Sequence, residues 1–157
     1  MRLTNYTDYA LRTLIYLAFS EPNLATIAEI SRAYGISENH LVKVVHHLGR
    51  LDLVKTSRGR GGGLRLALAP RQINVGQVVR NMEDDLALVE CFAHGNCVIT
   101  PTCHLRGILG EALAAFMAVL DRYTLADLAG RKGEIKMAKL LGLFPLPTTG
   151  VPTPRTI

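Results

Sequence analysis

The stretch TIAEISRAYGISENHLVKVVHHLGR, residues 26–50, decides the fold. Thr26 and Glu29 stand three apart at its head, the spacing of a capping box. In that motif the hydroxyl accepts from the N3 amide and the N3 carboxylate reaches back. The box opens a short helix, Ile27–Tyr34, with Ile27, Ile30 and Ser31 on one face. Gly35 ends it, since glycine adopts the left-handed conformation that closes helices. Ser37 can then cap a second helix running to Arg50, in which Leu41, Val44, Val45 and Leu48 fall at i, i+3, i+4 and i+7. Two short helices joined by a tight turn containing glycine predict a helix-turn-helix. The second helix turns Asn39, His40, Lys43, His46, His47 and Arg50 outward. Asparagine and lysine hydrogen-bond base edges in a major groove, and the cations neutralise phosphates.

Downstream, Leu53–Ser57 reads as a strand, RGRGGG (58–63) as a hairpin tip, and Leu64–Leu68 as a second strand with period-two alternation. A phosphate-cradling dinucleotide loop is excluded, because Leu64 stands where a third glycine is needed and a strand follows where a helix should. A basic hairpin directly after a helix-turn-helix is a wing, and Arg58 and Arg60 are placed to reach a minor groove or flanking phosphates. The expected DNA-contacting set is Thr26, Ser37, Asn39, His40, Lys43, His47, Arg50, Arg58 and Arg60. The charge agrees. Residues 1–80 hold 11 Lys/Arg against 5 Asp/Glu, whereas residues 81–157 hold 7 against 8.

Upstream, Thr4–Phe19 reads as a helix capped by Thr4, with Leu11, Leu14, Ile15 and Ala18 as its apolar stripe. On the other side, Asn74 can cap a helix over Val75–Met82, and an acidic run, residues 83–85, follows. Thr100-Pro101 marks the start of the longest helix, Thr102–Tyr123, roughly 30 Å at 1.5 Å per residue. That helix is apolar around most of its circumference, so a second copy of the chain is expected to cover it. A short turn at Thr124–Leu128 and a short helix around Glu134–Leu141 are allowed, and the proline-rich end, Pro145–Ile157, reads as a tail.

The 157 residues are 48% hydrophobic and 20% charged, which excludes a disordered chain. The longest apolar run, Ala112–Leu120, has nine residues, too few to span a bilayer. With no leader-like segment after Met1 and an odd count of three cysteines, a reduced cytoplasmic compartment and no disulfide framework are expected. Cys91, Cys97 and Cys103 lie within thirteen residues of a stretch without helical or strand period. Metal ligation explains that grouping better than inert packing does. The even spacing departs from paired zinc motifs and suits an iron–sulphur cluster with a fourth ligand from elsewhere. His94 and His104 leave a Cys3His zinc site open. Cys103, expected in the first turn of the long helix, would have its thiol pKa lowered by the helix dipole.

Several segments carry a resemblance. They are Leu3-Thr4-x-x-Thr7-Asp8-Tyr9-x-Leu11-Arg12, Asn39-His40-x-Val42-Lys43, the 58–66 wing, the cysteine loop with Ile99-Thr-Pro-x-Cys103, and Leu120-Asp-x-Tyr-Thr-Leu-Ala-Asp-Leu128. Over residues 1–128 the chain resembles the small bacterial winged-helix regulators that carry an iron–sulphur cluster, and within them the nitric-oxide-sensitive repressors. The resemblance implies a homodimer on palindromic operator DNA, released by nitric oxide. It implies one [4Fe-4S] or [2Fe-2S] cluster per subunit, ligated by Cys91, Cys97 and Cys103, with Asp8 from the other subunit as fourth ligand. A related regulator of cluster assembly uses a histidine three residues after the third cysteine, where this chain has Arg106.

The expected architecture is therefore mainly α with a two-stranded wing. Residues 1–82 would form the winged helix-turn-helix DNA-binding domain and 83–103 the cluster loop. The dimerisation helix and a short C-terminal turn would occupy 104–130, and a weakly ordered tail 131–157. A regulator sensing redox state or iron–sulphur status is the neighbouring alternative. An electron carrier would need four cysteines and has no use for a basic wing, and no catalytic triad or carboxylate pair points to an enzyme.

Overall fold

The computed structural model describes residues 2–93, 97–99, 102–129 and 134–143. Helix α1, Asn5–Ser20, begins at Thr4, whose hydroxyl accepts from the Thr7 amide at 3.2 Å. Of the expected stripe only Leu14 is fully buried, while Leu11, Ile15 and Ala18 are partly covered. The deepest line is instead Thr7, Ala10, Leu14 and Leu17, with Thr13 beside it, because α1 is packed on several sides. Two threonines are tolerated there because their hydroxyls are satisfied locally. Thr13 Oγ1 donates to the Tyr9 carbonyl at 2.7 Å, and Thr7 Oγ1 lies 3.1 Å from Thr4 Oγ1.

Helix α2, Ile27–Tyr34, carries the expected capping box. The Thr26 amide donates to Glu29 Oε2 at 2.7 Å, and the Glu29 amide to Thr26 Oγ1 at 3.2 Å. Gly35 closes it at φ 64°, and Ser31 Oγ donates to the Ile36 carbonyl at 2.6 Å to hold the turn. Helix α3, Glu38–Arg50, buries Leu41, Val44, Val45 and Leu48, as the periodicity predicts. Ser37 sits at its N-cap position, but its side chain makes no capping hydrogen bond.

The wing is an antiparallel pair, β1 (Val54–Ser57) and β2 (Gly63–Leu66), with Val54 opposite Leu66 and Ser57 opposite Gly63. The second strand stops two residues short of Leu68, which is exposed, and a 3-10 turn follows at Pro70–Gln72. Leu64 exchanges backbone hydrogen bonds with Ala25, at 2.7 and 3.0 Å, so the hairpin is fastened to the residue before the capping box.

Asn74 caps α4, Val75–Met82, by accepting from the Gln77 amide at 2.9 Å. Its amide group donates to the Asp121 carbonyl at 2.7 Å, and Arg80 grips the Asp121 carboxylate with two bonds of 2.6 and 2.7 Å. These contacts fasten α4 to the end of α6, His104–Leu120. Helix α6 is shorter than expected at both ends. Cys103 is its N-cap and not part of its first turn, and Tyr123 lies beyond it. The segment read as irregular from Cys91 onward begins with one helical turn, α5 (Glu90–Ala93), which holds Cys91. Helix α7 is Leu125–Leu128, and α8 is Glu134–Leu140, with Ala138 and Leu141 in the core. Thr100, Pro101 and Pro145–Ile157 fall outside the described residues, within which no helix is long and apolar enough to cross a membrane.

Gly76 stands where α4 meets Asp121, and a Cβ there would collide with the Asp121 carboxylate and press on its backbone nitrogen. Gly76→Ala should therefore separate α4 from α6 and destabilise the protein by about 1–3 kcal/mol. Thermal denaturation should show the lower melting temperature.

Candidate nucleic-acid interface and cysteine loop

On α3, Asn39, His40, Lys43 and Arg50 are exposed, as are Thr26, Ser37, Arg58 and Arg60. No carboxylate pairs with Lys43, Arg50, Arg58 or Arg60 among the described residues, where the ion pairs at hand are Asp8–Arg12 and Arg80–Asp121. An uncompensated cationic edge attracts a polyanion. The Thr26 hydroxyl donates to Glu29 at 2.9 Å. Val42, off the buried stripe, is 51% exposed on the same helix, an apolar surface of the kind that packs on a thymine methyl. It can be found in the sequence only by asking which apolar residue the stripe leaves over.

His47 is turned differently from its neighbours. It is half-buried, with its ring 5.9 Å from that of Tyr6 and its Nδ1 3.4 Å from the Tyr6 hydroxyl. The same hydroxyl donates to the Lys43 carbonyl at 3.1 Å, and Tyr9 lies 6.1 Å from the His40 ring. Burial, reinforced by the Asp84 charge, raises the Tyr6 pKa, so the phenol keeps the proton it donates. Tyr6 and Tyr9 thus set the seat of α3 on α1. Sequence periodicity did not single them out, because they belong to neither the stripe nor a charge pattern.

Asp8 stands between those tyrosines in sequence. Its carboxylate is held by Arg12 with two contacts of 3.0 Å, and the Arg12 guanidinium lies 5.7 Å over the Tyr34 ring. Burial pushes the Tyr34 hydroxyl up to about 12 although the Arg12 charge opposes it. At the other end of α1's first turn, Glu83 accepts from the Thr4 amide and hydroxyl at 2.8 and 3.1 Å. The segment leading to the cysteines is thereby tied to the start of α1.

All three cysteines are free. Cys91 and Cys103 are half-buried and Cys97 is exposed. Cys103 makes no side-chain capping bond, so its sulphur is uncommitted at the N-cap of α6. The donor set, three uncommitted soft sulphurs, fits an iron–sulphur group. The structure does not gather them with Asp8: among the described residues no three His, Cys, Asp or Glu side chains stand close enough to hold a metal ion. His94 lies outside the described residues, and His104, the first residue of α6, is exposed.

Comparison with known proteins gives the family and the fold. Residues 3–131 match the Rrf2 family model, described as an iron-dependent transcriptional regulator. The HTH-type transcriptional regulator NsrR of Bacillus subtilis is 55% identical over 144 residues, covering 89% of this chain and 99% of that protein. Its namesake in Geobacillus kaustophilus is 54% identical over 139 residues, covering 87% and 95%. Among solved structures, CymR, the global cysteine regulator of B. subtilis, superposes with a TM-score of 0.66 at 26% identity, over 82% of this chain and 96% of that one. IscR of T. potens gives 0.67 at 26% identity, over 82% and 85%. These relatives are regulators and not enzymes, with the winged-helix architecture expected from the sequence.

Tyr6→Phe keeps the ring and deletes both hydroxyl contacts to α3. It should cost about 0.5–1.5 kcal/mol, the net worth of one such hydrogen bond. Amide exchange should quicken selectively in α3 while α4 exchanges as before.

Proposed function

Because the chain belongs to the Rrf2 family of iron-dependent transcriptional regulators, we propose that it is a nitric-oxide-sensitive repressor acting as a cytoplasmic homodimer on palindromic operator DNA. The observation that carries this reading is the set of exposed cations on α3 and the wing tip, Lys43, Arg50, Arg58 and Arg60, which pair with no carboxylate among the described residues. Helix α3 would enter the major groove, with Asn39, His40 and Lys43 at base edges and Arg50 on phosphate. Arg58 and Arg60 would take the minor groove or the phosphates beside it, and Thr26 and Ser37 the backbone. His47 would act by bracing α3 against Tyr6 more than by touching DNA.

Helix α6 supports the dimer. Of its residues only Met117 is buried, while Leu105 and Ile108 are 59% and 62% exposed. A second copy would cover that surface and set two heads on half-sites about 34–36 Å apart. In this reading residues 1–82 bind DNA, 83–103 hold the cluster, and 104–130 supply the dimer helix and its short C-terminal turn.

Cys91, Cys97 and Cys103 would hold a [4Fe-4S] or [2Fe-2S] cluster, one per subunit, with the partner subunit's Asp8 as fourth ligand. When bound, such a cluster supplies irons that react with nitric oxide. Asp8 is the weak member of that set, since a carboxylate is a harder donor than a thiolate. Arg12 gives it a resting partner once it is released. Asp8 and the two tyrosines that touch α3 stand on the same two turns of α1, so a displacement of that stretch of backbone would reach the recognition helix. Coupling of this kind typically spans ~1–3 kcal/mol, enough for derepression.

Lys43→Ala and Arg60→Ala should each weaken operator binding, by about 1–3 kcal/mol where a base-edge contact is lost, and leave the cluster absorbance intact. Cysteine variants at 91, 97 or 103 should lose cluster and specific binding together. Gel-shift titration with absorbance spectra on anaerobically purified dimer reads both, and wild-type operator affinity in Lys43→Ala and Arg60→Ala alike would overturn the docking.

Asp8→Ala should keep a cluster on the three cysteines and respond less sharply to nitric oxide. Titrating nitric oxide into wild type and variant on operator DNA decides it; an unchanged response removes Asp8 from the signal.

A further inference from the structure

We propose that the solvent face of the wing, built on Lys55 and Arg65, is a second phosphate-binding surface that lengthens the DNA contact beyond α3 and the wing tip. It rests on the reading of the chain as a DNA-binding regulator. The strand register places Lys55 directly opposite Arg65. Both are exposed, whereas Val54, Leu64 and Leu66 on the other face are buried. Facing residues in an antiparallel pair have Cβ atoms about 4.5–5.5 Å apart, and like charges in that position weaken the sheet. This sheet has only two strands, the kind least able to carry such a penalty. No carboxylate pairs with either cation among the described residues. Between residues 43 and 65 the sequence holds six Lys/Arg and one acid, Asp52.

Two like charges set opposite each other with no carboxylate beside them among the described residues suit a ligand that neutralises both. From Lys55 to the end of the strand at Ser57 is about 7 Å, and Arg58 follows beyond it, a length greater than one phosphate occupies, so the ligand is a polyphosphate chain and not a single anion. Arg58 and Arg60, also exposed, lie in the loop that joins the two strands. Phosphate contacts carry no sequence information, so this surface adds affinity equally to operator and to unrelated DNA.

The test is the salt dependence of binding by the cluster-loaded dimer. Each phosphate neutralised contributes about 0.9 to the slope of log K against log salt, so Lys55→Gln/Arg65→Gln should flatten the slope by about 1.8. The flattening should be the same on operator and on an unrelated duplex of equal length. Lys55→Arg/Arg65→Lys should keep the wild-type slope, and the glutamine variant should melt no lower than wild type, since it removes a repulsion. A wild-type slope in the glutamine variant, or a lower melting temperature, would overturn this proposal. A wild-type protein with no salt slope on either duplex would instead overturn the DNA-binding reading beneath it.

Discussion

Thr7, Ala10, Thr13 and Leu14 on α1 have no exposed surface, and Leu17 has 1%. A helix closed off on so many sides must either be apolar throughout or satisfy its polar groups internally. Here the two threonines do the latter, through Thr4 and the Tyr9 carbonyl. Small and medium side chains along this line let α3, β2 and α4 approach the same helix. Every other orientation in the head follows from that approach. The recognition helix is seated by Tyr6 and Tyr9, and the wing reaches the body through β2 and Ala25.

The same helix carries contacts in several directions. Tyr6 and Tyr9 bear on α3, and Asp8 pairs with Arg12 one turn on. Glu83, at the mouth of the segment carrying the cysteines, fastens the N-cap of α1. The start of α1 is thus tied to the segment that precedes the cysteines, while Tyr6 and Tyr9 bear on α3. A packed interior transmits displacements because it has few voids in which to absorb them.

The remaining surface divides by chemistry. The exposed cations of α3 and the wing have no carboxylate partner among the described residues, and α6 leaves Leu105, Ile108 and Val119 exposed. Between them, the Arg80–Asp121 fork and the Asn74 amide hold α4 to the end of α6. The fork lowers the Asp121 pKa and raises that of Arg80, each through the hydrogen bonds to the other, so both stay charged across the physiological range. The α6 surface is therefore presented at a defined angle to the head and not on a free linker.

Much of this was legible in the residues because it is local. The capping box at Thr26 and Glu29, the glycine at 35, the α3 stripe and the Asn74 cap are each decided by neighbours within a few positions, and hydrogen-bond geometry at helix ends allows few alternatives. The hairpin was equally readable, since its alternation and its glycines leave little choice of turn. What sequence could not decide was which face of α1 lies deepest, because a helix packed on several sides has no single stripe. Nor could it say that His47 turns to Tyr6, that Cys103 stands at the cap of α6 with its sulphur uncommitted, or that Ala138 and Leu141 enter the core. Those depend on contacts between segments far apart in the chain. Lys55 and Arg65 are the sharpest case: ten residues apart in sequence they are two ordinary surface cations, and only the strand register makes them face each other.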